Sequence, residues 1–148
     1  MAGVCKVTKE ELESFLRAVD QDFPVPLSQK SDLSVLAEKF AQRADIFAER
    51  IDGKIAGAVI GYITNGFSEI SFITVVAVRK EYRGKGVSKR ALLSYIAEAK
   101  KQGRFKAIDV YTQRENATAI GLYKGCGFVD YKIENEPRPN DVHLIYYL

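Results

Sequence analysis

Residues 54–64, Lys-Ile-Ala-Gly-Ala-Val-Ile-Gly-Tyr-Ile-Thr, are apolar at almost every position. A strand wetted on one face alternates apolar and polar residues; a run without alternation reads as a strand covered on both faces. The flanking residues supply its partners. Residues 45–51 read as a strand, and Asp52-Gly53 is a dipeptide suited to a two-residue hairpin. Asn65-Gly66 is a second such signal, and residues 68–78 form a third strand. The three strands predict an antiparallel meander.

Helical patterns lie on either side of it. Thr8 followed by Glu11 is a capping box, and Leu12, Phe15, Leu16 and Val19 then share one helix face. Phe23-Pro24-Val25-Pro26 cannot be helical. Ser31 or Asp32 opens a second helix with Leu33, Leu36, Ala37 and Phe40 as its stripe. Val87, Ala91, Leu92, Tyr95, Ile96 and Ala99 mark a third, with Gly103 at its left-handed cap. Residues 105–112 read as a strand and 116–124 as a short helix stopped near Gly125 and Gly127. Residues 128–134 are a strand, Pro137 and Pro139 mark a loop, and 141–148 are a final strand. Strand 68–78, its helix and strand 105–112 make a parallel, right-handed β-α-β unit.

The chain has 148 residues, 47% apolar and 28% charged, which fits one domain over 1–148. Two cysteines, Cys5 and Cys126, are too few for a disulfide framework, and with one histidine they leave little for a transition metal. The start, Met-Ala-Gly-Val-Cys, lacks a basic flank and apolar run, and Ile55 to Ile63 is too short to span a bilayer. The expectation is a soluble cytoplasmic protein without metal. A net charge of +3 does not by itself imply nucleic acid.

The chemistry concentrates in Arg79-Lys80-Glu81-Tyr82-Arg83-Gly84-Lys85-Gly86-Val87-Ser88-Lys89-Arg90, where six of twelve residues are basic. The segment joins strand 68–78 to a helix. A helix N-terminus offers unpaired N–H groups and a positive dipole end, and glycine lets a ligand approach the backbone. Together they suit a phosphate or pyrophosphate. A Walker A loop is absent, and the dinucleotide fingerprint fails because its third glycine position is Lys89. A solvated basic turn is the competing structural reading.

Arg83-x-x-Gly86-x-Ser88 resembles the Q/R-x-x-G-x-G/A signature of the GCN5-related N-acetyltransferases, the GNAT family. Downstream, Asn116, Ala119, Tyr123 and the Gly127-Phe128 pair resemble that family's N-x-x-A-x-x-x-Y and G-F segment. The resemblance covers about residues 45–148; residues 1–44 match only as two helices. Ser88 departs from the usual Gly or Ala. The resemblance implies an α+β or α/β fold, a single GNAT-like domain. It would have a mixed, mostly antiparallel sheet of about six to seven strands flanked by about four helices.

It also implies acetyl-coenzyme A as co-substrate and a small-molecule or peptide amine as acceptor. The pyrophosphate would lie on backbone N–H groups of Arg83, Gly84, Lys85, Gly86, Val87 and Ser88, with Lys89 at the edge. The pantetheine arm would pair with the strand end at Val76, Ala77 and Val78, and near Asn116 and Ala119. Tyr123 would protonate the leaving thiolate; a core aromatic is the alternative. Asn116 is a helix cap or a ligand contact. Glu69, in a stretch similar to the F-x-E-I-x-F of histone-acetylating members, is a candidate base or a solvated residue near a turn.

Other residues carry less. His143 has no evident Cys or Asp partner and reads as structural or exposed. Cys126 reads as packing. Tyr62 and Tyr111 read as core, within reach of an acceptor cleft. Acids in the last loop, Glu134, Glu136 and Asp141, hint at a cationic amine. A non-catalytic acyl-CoA-binding module and a nucleic-acid binder are the competing readings, the latter disfavoured by clustering of the cations on one turn. The acceptor's identity is not readable, and a homodimer stays open.

Overall fold

The computed structural model describes residues 3–4, 6–63 and 68–148, the first two as backbone alone. The Asn65-Gly66 turn and Cys5 therefore lie outside the described residues. Among the described residues seven strands form one sheet: β1 (Gly3–Val4), β2 (Asp45–Ile51), β3 (Lys54–Tyr62), β4 (Ile70–Val78), β5 (Ala107–Thr112), β6 (Val129–Asp130) and β7 (Val142–Tyr147). Their order is β1-β2-β3-β4-β5-β7-β6, and all neighbours are antiparallel except β4 and β5. The helices are α1 (Lys9–Val19), α2 (Leu33–Arg43), α3 (Val87–Gln102) and α4 (Ala117–Gly125).

Local chemistry starts and stops these elements where expected. Thr8 Oγ1 accepts from the Glu11 N–H at 3.1 Å, and the Glu11 carboxylate accepts from the Thr8 N–H in return. Asp32 caps α2, accepting from Ser34 and Val35. Asp52 and Gly53 take φ of 55° and 79°, the left-handed pair that a tight hairpin needs.

Burial on both faces of β3 follows from period-two alternation. Val59 joins a cluster with Phe47, Leu92, Tyr95 and Phe128 under α3 and α4. Its neighbours Ala58 and Ile60 join the opposite cluster with Leu12, Phe15 and Phe40 under α1 and α2. The sheet is a layer between two helical layers.

One element is shorter than its sequence pattern. Of residues 128–134 only Val129–Asp130 pairs in the sheet. Tyr131 still donates its N–H to the His143 carbonyl, but Asn135 turns at φ 59° and the chain leaves the edge.

Candidate active site

β4 pairs with β5 only over Ile70–Ile73 against Ala107–Val110. Beyond Ile73 the two strands part, and Thr74–Val78 face a gap instead of a neighbour on that side. Backbone N–H and C=O groups there keep hydrogen-bonding capacity for a ligand. Two cavities fill the gap, of about 400 and 210 Å³, and Phe23, Val76, Asn116 and Ala119 line both.

The larger cavity is closed at one end by the glycine turn. Gly84 and Gly86 adopt φ of 79° and 78°, which bends the backbone into α3. No side chain caps α3, so the N–H groups of its first residues have no helical partner. Arg83, Gly84, Gly86, Val87, Ser88 and Lys89 all line this cavity. Uncapped donors, a positive dipole end and an open strand edge together form a donor set that fits a pyrophosphate followed by an extended amide-bearing arm.

Several of the cations are already engaged. Arg83 pairs with Asp22 at 2.5 Å, and both line the cavity. Arg90 holds Glu49 at 2.7 Å, and Arg79 is buried with its Nε donating to the Ile55 carbonyl at 2.7 Å. Lys85 does not line the cavity; its ammonium sits 5.7 Å from the Tyr82 ring centre. The basic segment is therefore no free cationic face.

The smaller cavity holds Tyr123, Thr74, Tyr111 and Arg138 among its walls. Tyr123 is 2% exposed and its ring packs on Phe128 at 5.3 Å. Burial pushes its phenol well above the ordinary tyrosine value, so at neutral pH it is an uncharged O–H donor. Asn116 caps α4, its Oδ1 accepting from the Ala119 N–H at 3.2 Å, while also facing both cavities.

Glu69 is not brought to the site. It precedes β4 at the end remote from Val76, about 23 Å away along a strand rising ~3.3 Å per residue. Its carboxylate is exposed and pairs with Lys106 at 2.9 Å. Tyr62 lines neither cavity. Cys126 is half-buried, and burial raises its thiol's pKa, which disfavours the nucleophilic thiolate.

His143 departs from expectation in another way. It is 5% exposed, with Nε2 2.9 Å from Asp109 and Nδ1 3.0 Å from Glu136. Tyr111 stacks on its ring at 4.2 Å and donates its hydroxyl to the same Glu136. Tyr111's hydrogen bond, helped by His143 and opposed by burial, holds the Glu136 carboxyl below the ordinary range. Two acids of the last loop are thus engaged internally, Glu136 on Tyr111 and His143 and Asp141 on Arg138 at 2.7 Å, while Glu134 is exposed.

Sequence reasoning passed over Gln113 and Asp22. The Gln113 carboxamide accepts from the Val25 N–H at 3.0 Å and donates to its carbonyl at 3.1 Å, fastening the Phe23–Leu27 segment across the cavity mouth. Asp20 fixes the same segment, accepting from the Ser28 N–H at 2.9 Å and hydroxyl at 2.5 Å. A long-range pair of this kind has no periodic signal.

The Acetyltransferase (GNAT) family matches residues 12–128, and the chain belongs to that family. An L-2,4-diaminobutyric acid acetyltransferase of Wolinella succinogenes is 26% identical over 105 residues, 70% of this chain and 60% of that protein. An N-alpha-acetyltransferase of Sulfurisphaera tokodaii is 31% identical over 101 residues, 61% of this chain and 59% of that one. The chain thus spans about three-fifths of the length of these relatives. The PaiA N-acetyltransferase of Thermoplasma acidophilum, solved with coenzyme A, shares the fold at a TM-score of 0.76 and 16% identity, covering 100% of this chain and 99% of that one.

Proposed function

We propose that residues 1–148 act as one acetyltransferase domain that moves an acetyl group from acetyl-coenzyme A to a primary amine. The observation that carries this reading is the parting of β4 from β5 beside the uncapped start of α3. It offers an anion site and an open strand edge in one continuous groove, with a protonated phenol beyond.

In this reading the N–H groups at Val87 and Ser88 hold the pyrophosphate, and the backbone at Val76 and Val78 pairs with the pantetheine amides. Donors aimed at the thioester oxygen would favour charge building there. The neutral amine attacks the thioester carbonyl from the smaller cavity. Tyr123 gives its proton to the departing thiolate and takes one from the nitrogen as it becomes an amide. Glu69 has no part in this scheme; a base, if needed, comes from water or from the amine's own equilibrium.

Both relatives are named as acetyltransferases, one an L-2,4-diaminobutyric acid acetyltransferase and one an N-alpha-acetyltransferase, which supports an amine acceptor. No helix among the described residues is long and apolar enough to cross a membrane, in keeping with a cytoplasmic enzyme. The test is thiol release from acetyl-coenzyme A with L-2,4-diaminobutyrate, free amino acids, alanine-initiated peptides, polyamines and amino sugars. Coenzyme A binding without thiol release across that panel would leave an acyl-CoA-binding module and refute the enzyme.

A further inference from the structure

The smaller cavity has a charge pattern opposite to the one the amine alone would select. Among the described residues its charged wall members are Lys30 and Arg138, and no carboxylate lines it. A bare ammonium entering there meets Lys30 and an Arg138 already paired with Asp141 at 2.7 Å, and finds no carboxylate on the wall itself to receive it. Amines at neutral pH are mostly protonated, so this is a real penalty inside a partly desolvated cleft.

The two cations come from separate loops, and each loop is fastened. Lys30 follows the segment that Gln113 and Asp20 tie down, and its N–H donates to the Leu27 carbonyl at 3.0 Å. Arg138 lies on the Tyr111 ring at 5.6 Å, and Tyr111 is itself held by Glu136 and His143. Arg114 pins the same loop through the Asn140 and Asp141 carbonyls, at 3.3 Å each. The Asp109–His143–Glu136 chain, buried at its histidine, is therefore the footing under one wall of the cavity. Glu136, which could have met an ammonium, is turned away to serve it.

We infer that the acceptor is a small amine that carries its own carboxylate, with Lys30 and Arg138 receiving the carboxylate and the amino group directed inward past Tyr111 to Thr74 and Tyr123. The inference rests on the acetyl-transfer reading and narrows its substrate class to amino acids. The volume of about 210 Å³ suits a molecule of that size and is below the usual range for larger ligands. Ser31 adds a neutral hydroxyl to the same walls.

The test compares matched pairs of acceptors: glycine, β-alanine, L-alanine and L-lysine against their carboxamides. Removing the charge makes the neighbouring amine less basic, so reactivity alone favours the carboxamide. A charge-assisted contact predicts the reverse, with kcat/KM about tenfold to a hundredfold higher for the acid, expressed in KM. Lys30→Gln and Arg138→Gln should each shrink that ratio, and Lys30→Glu should favour putrescine over the acids. Lys30 is exposed, so its variants keep the test valid if Arg138→Gln fails to fold. Carboxamides equal to or better than the acids would overturn the inference, as would ratios untouched by the Lys30 variants. In either case thiol release would still stand for acetyl transfer. An acidic peptide outperforming every amino acid would also overturn it. Absence of turnover with any amine in this panel and the wider one would remove both readings.

Discussion

The Tyr95 hydroxyl occupies the space that a side chain at Gly61 would need. It lies 3.1 Å from the Tyr62 nitrogen, 2.7 Å from Ser71 Oγ and 3.3 Å from the Phe72 carbonyl. The register of β3 against β4 slips between Ile60 and Gly61, and that slip is where an α3 side chain reaches between the strands. Gly61→Ala should destabilise the fold by about 1–3 kcal/mol through overpacking. Tyr95→Phe should cost about 1–3 kcal/mol by stranding buried polar partners. The double variant should cost less than the sum, because the phenylalanine removes the nearest of the atoms that the new methyl meets, although the ring edge and the Phe72 carbonyl stay in place. Denaturant unfolding of the three variants gives the coupling directly.

Tyr123→Phe separates chemistry from binding. The substitution keeps the ring on Phe128 and removes only the proton donor. kcat should fall by about 10²-fold with the Kd of coenzyme A unchanged. The sign of its pKa shift adds a second check. Burial raises the phenol above its ordinary value near 10, so it stays protonated throughout the working range. A descending limb in the pH–rate profile below about pH 10 that vanishes in Tyr123→Phe would contradict the assignment.

Gln113 imitates a peptide group toward Val25. Gln113→Ala removes both bonds, each worth about 0.5–1.5 kcal/mol, and loosens the segment that walls the acceptor cavity. The KM for the acceptor should rise by up to about tenfold, while coenzyme A affinity stays within twofold of its original value (roughly 0.4 kcal/mol). Isothermal titration with coenzyme A alongside acceptor kinetics distinguishes this from general unfolding.

The periodic parts of the molecule were readable because burial writes them into the sequence. The α1 stripe, the two-sided β3 and the Gly103 stop follow from local pattern. The anion site was readable for the same reason: glycine geometry and helix start are neighbours in the chain. The acceptor side was not. Tyr111 and His143 look like isolated strand residues until β5 and β7 pair them directly, and Glu136 joins them from a loop. Of the acids in that loop that hinted at a cationic amine, hydrogen bonds turn Glu136 inward and Arg138 takes Asp141. Glu69 is the opposite case, since its local motif resembles a known stretch while the fold sets it just before β4, at the end remote from Val76 and paired with Lys106.

Glu13 sets an acid limit on the α1 surface. Lys9 at 2.9 Å, then Arg17 at 2.7 Å, lower its carboxyl to about 2 from a value of 4.5. A depressed folded-state pKa contributes stability that is present above 4.5 and is lost as pH falls toward about 2. Glu13→Gln should therefore lower Tm slightly at pH 7, and the difference should close across that window. High salt should reduce the difference at pH 7, because the pairs are solvent-facing. A gap that stays constant from neutral to acid pH would show that the pairing adds nothing through charge.

Among the described residues Asp22 is the one carboxylate on the wall of the larger cavity, and it holds Arg83 at 2.5 Å. Its charge opposes an incoming pyrophosphate and also neutralises a cation that could meet it. Asp22→Asn keeps the side chain's shape and removes both effects. Two unit charges a few ångströms apart interact by about 1 kcal/mol in a watery cleft, so coenzyme A should bind about fivefold more tightly to the variant. The gain should shrink with added salt. Dephospho and full coenzyme A should both gain, because the affected group is the pyrophosphate at the α3 start. Weaker binding in Asp22→Asn would mean that the ion pair's value lies in holding Arg83 against the Val78 carbonyl, where its Nε donates at 3.3 Å, and that turn geometry outweighs charge.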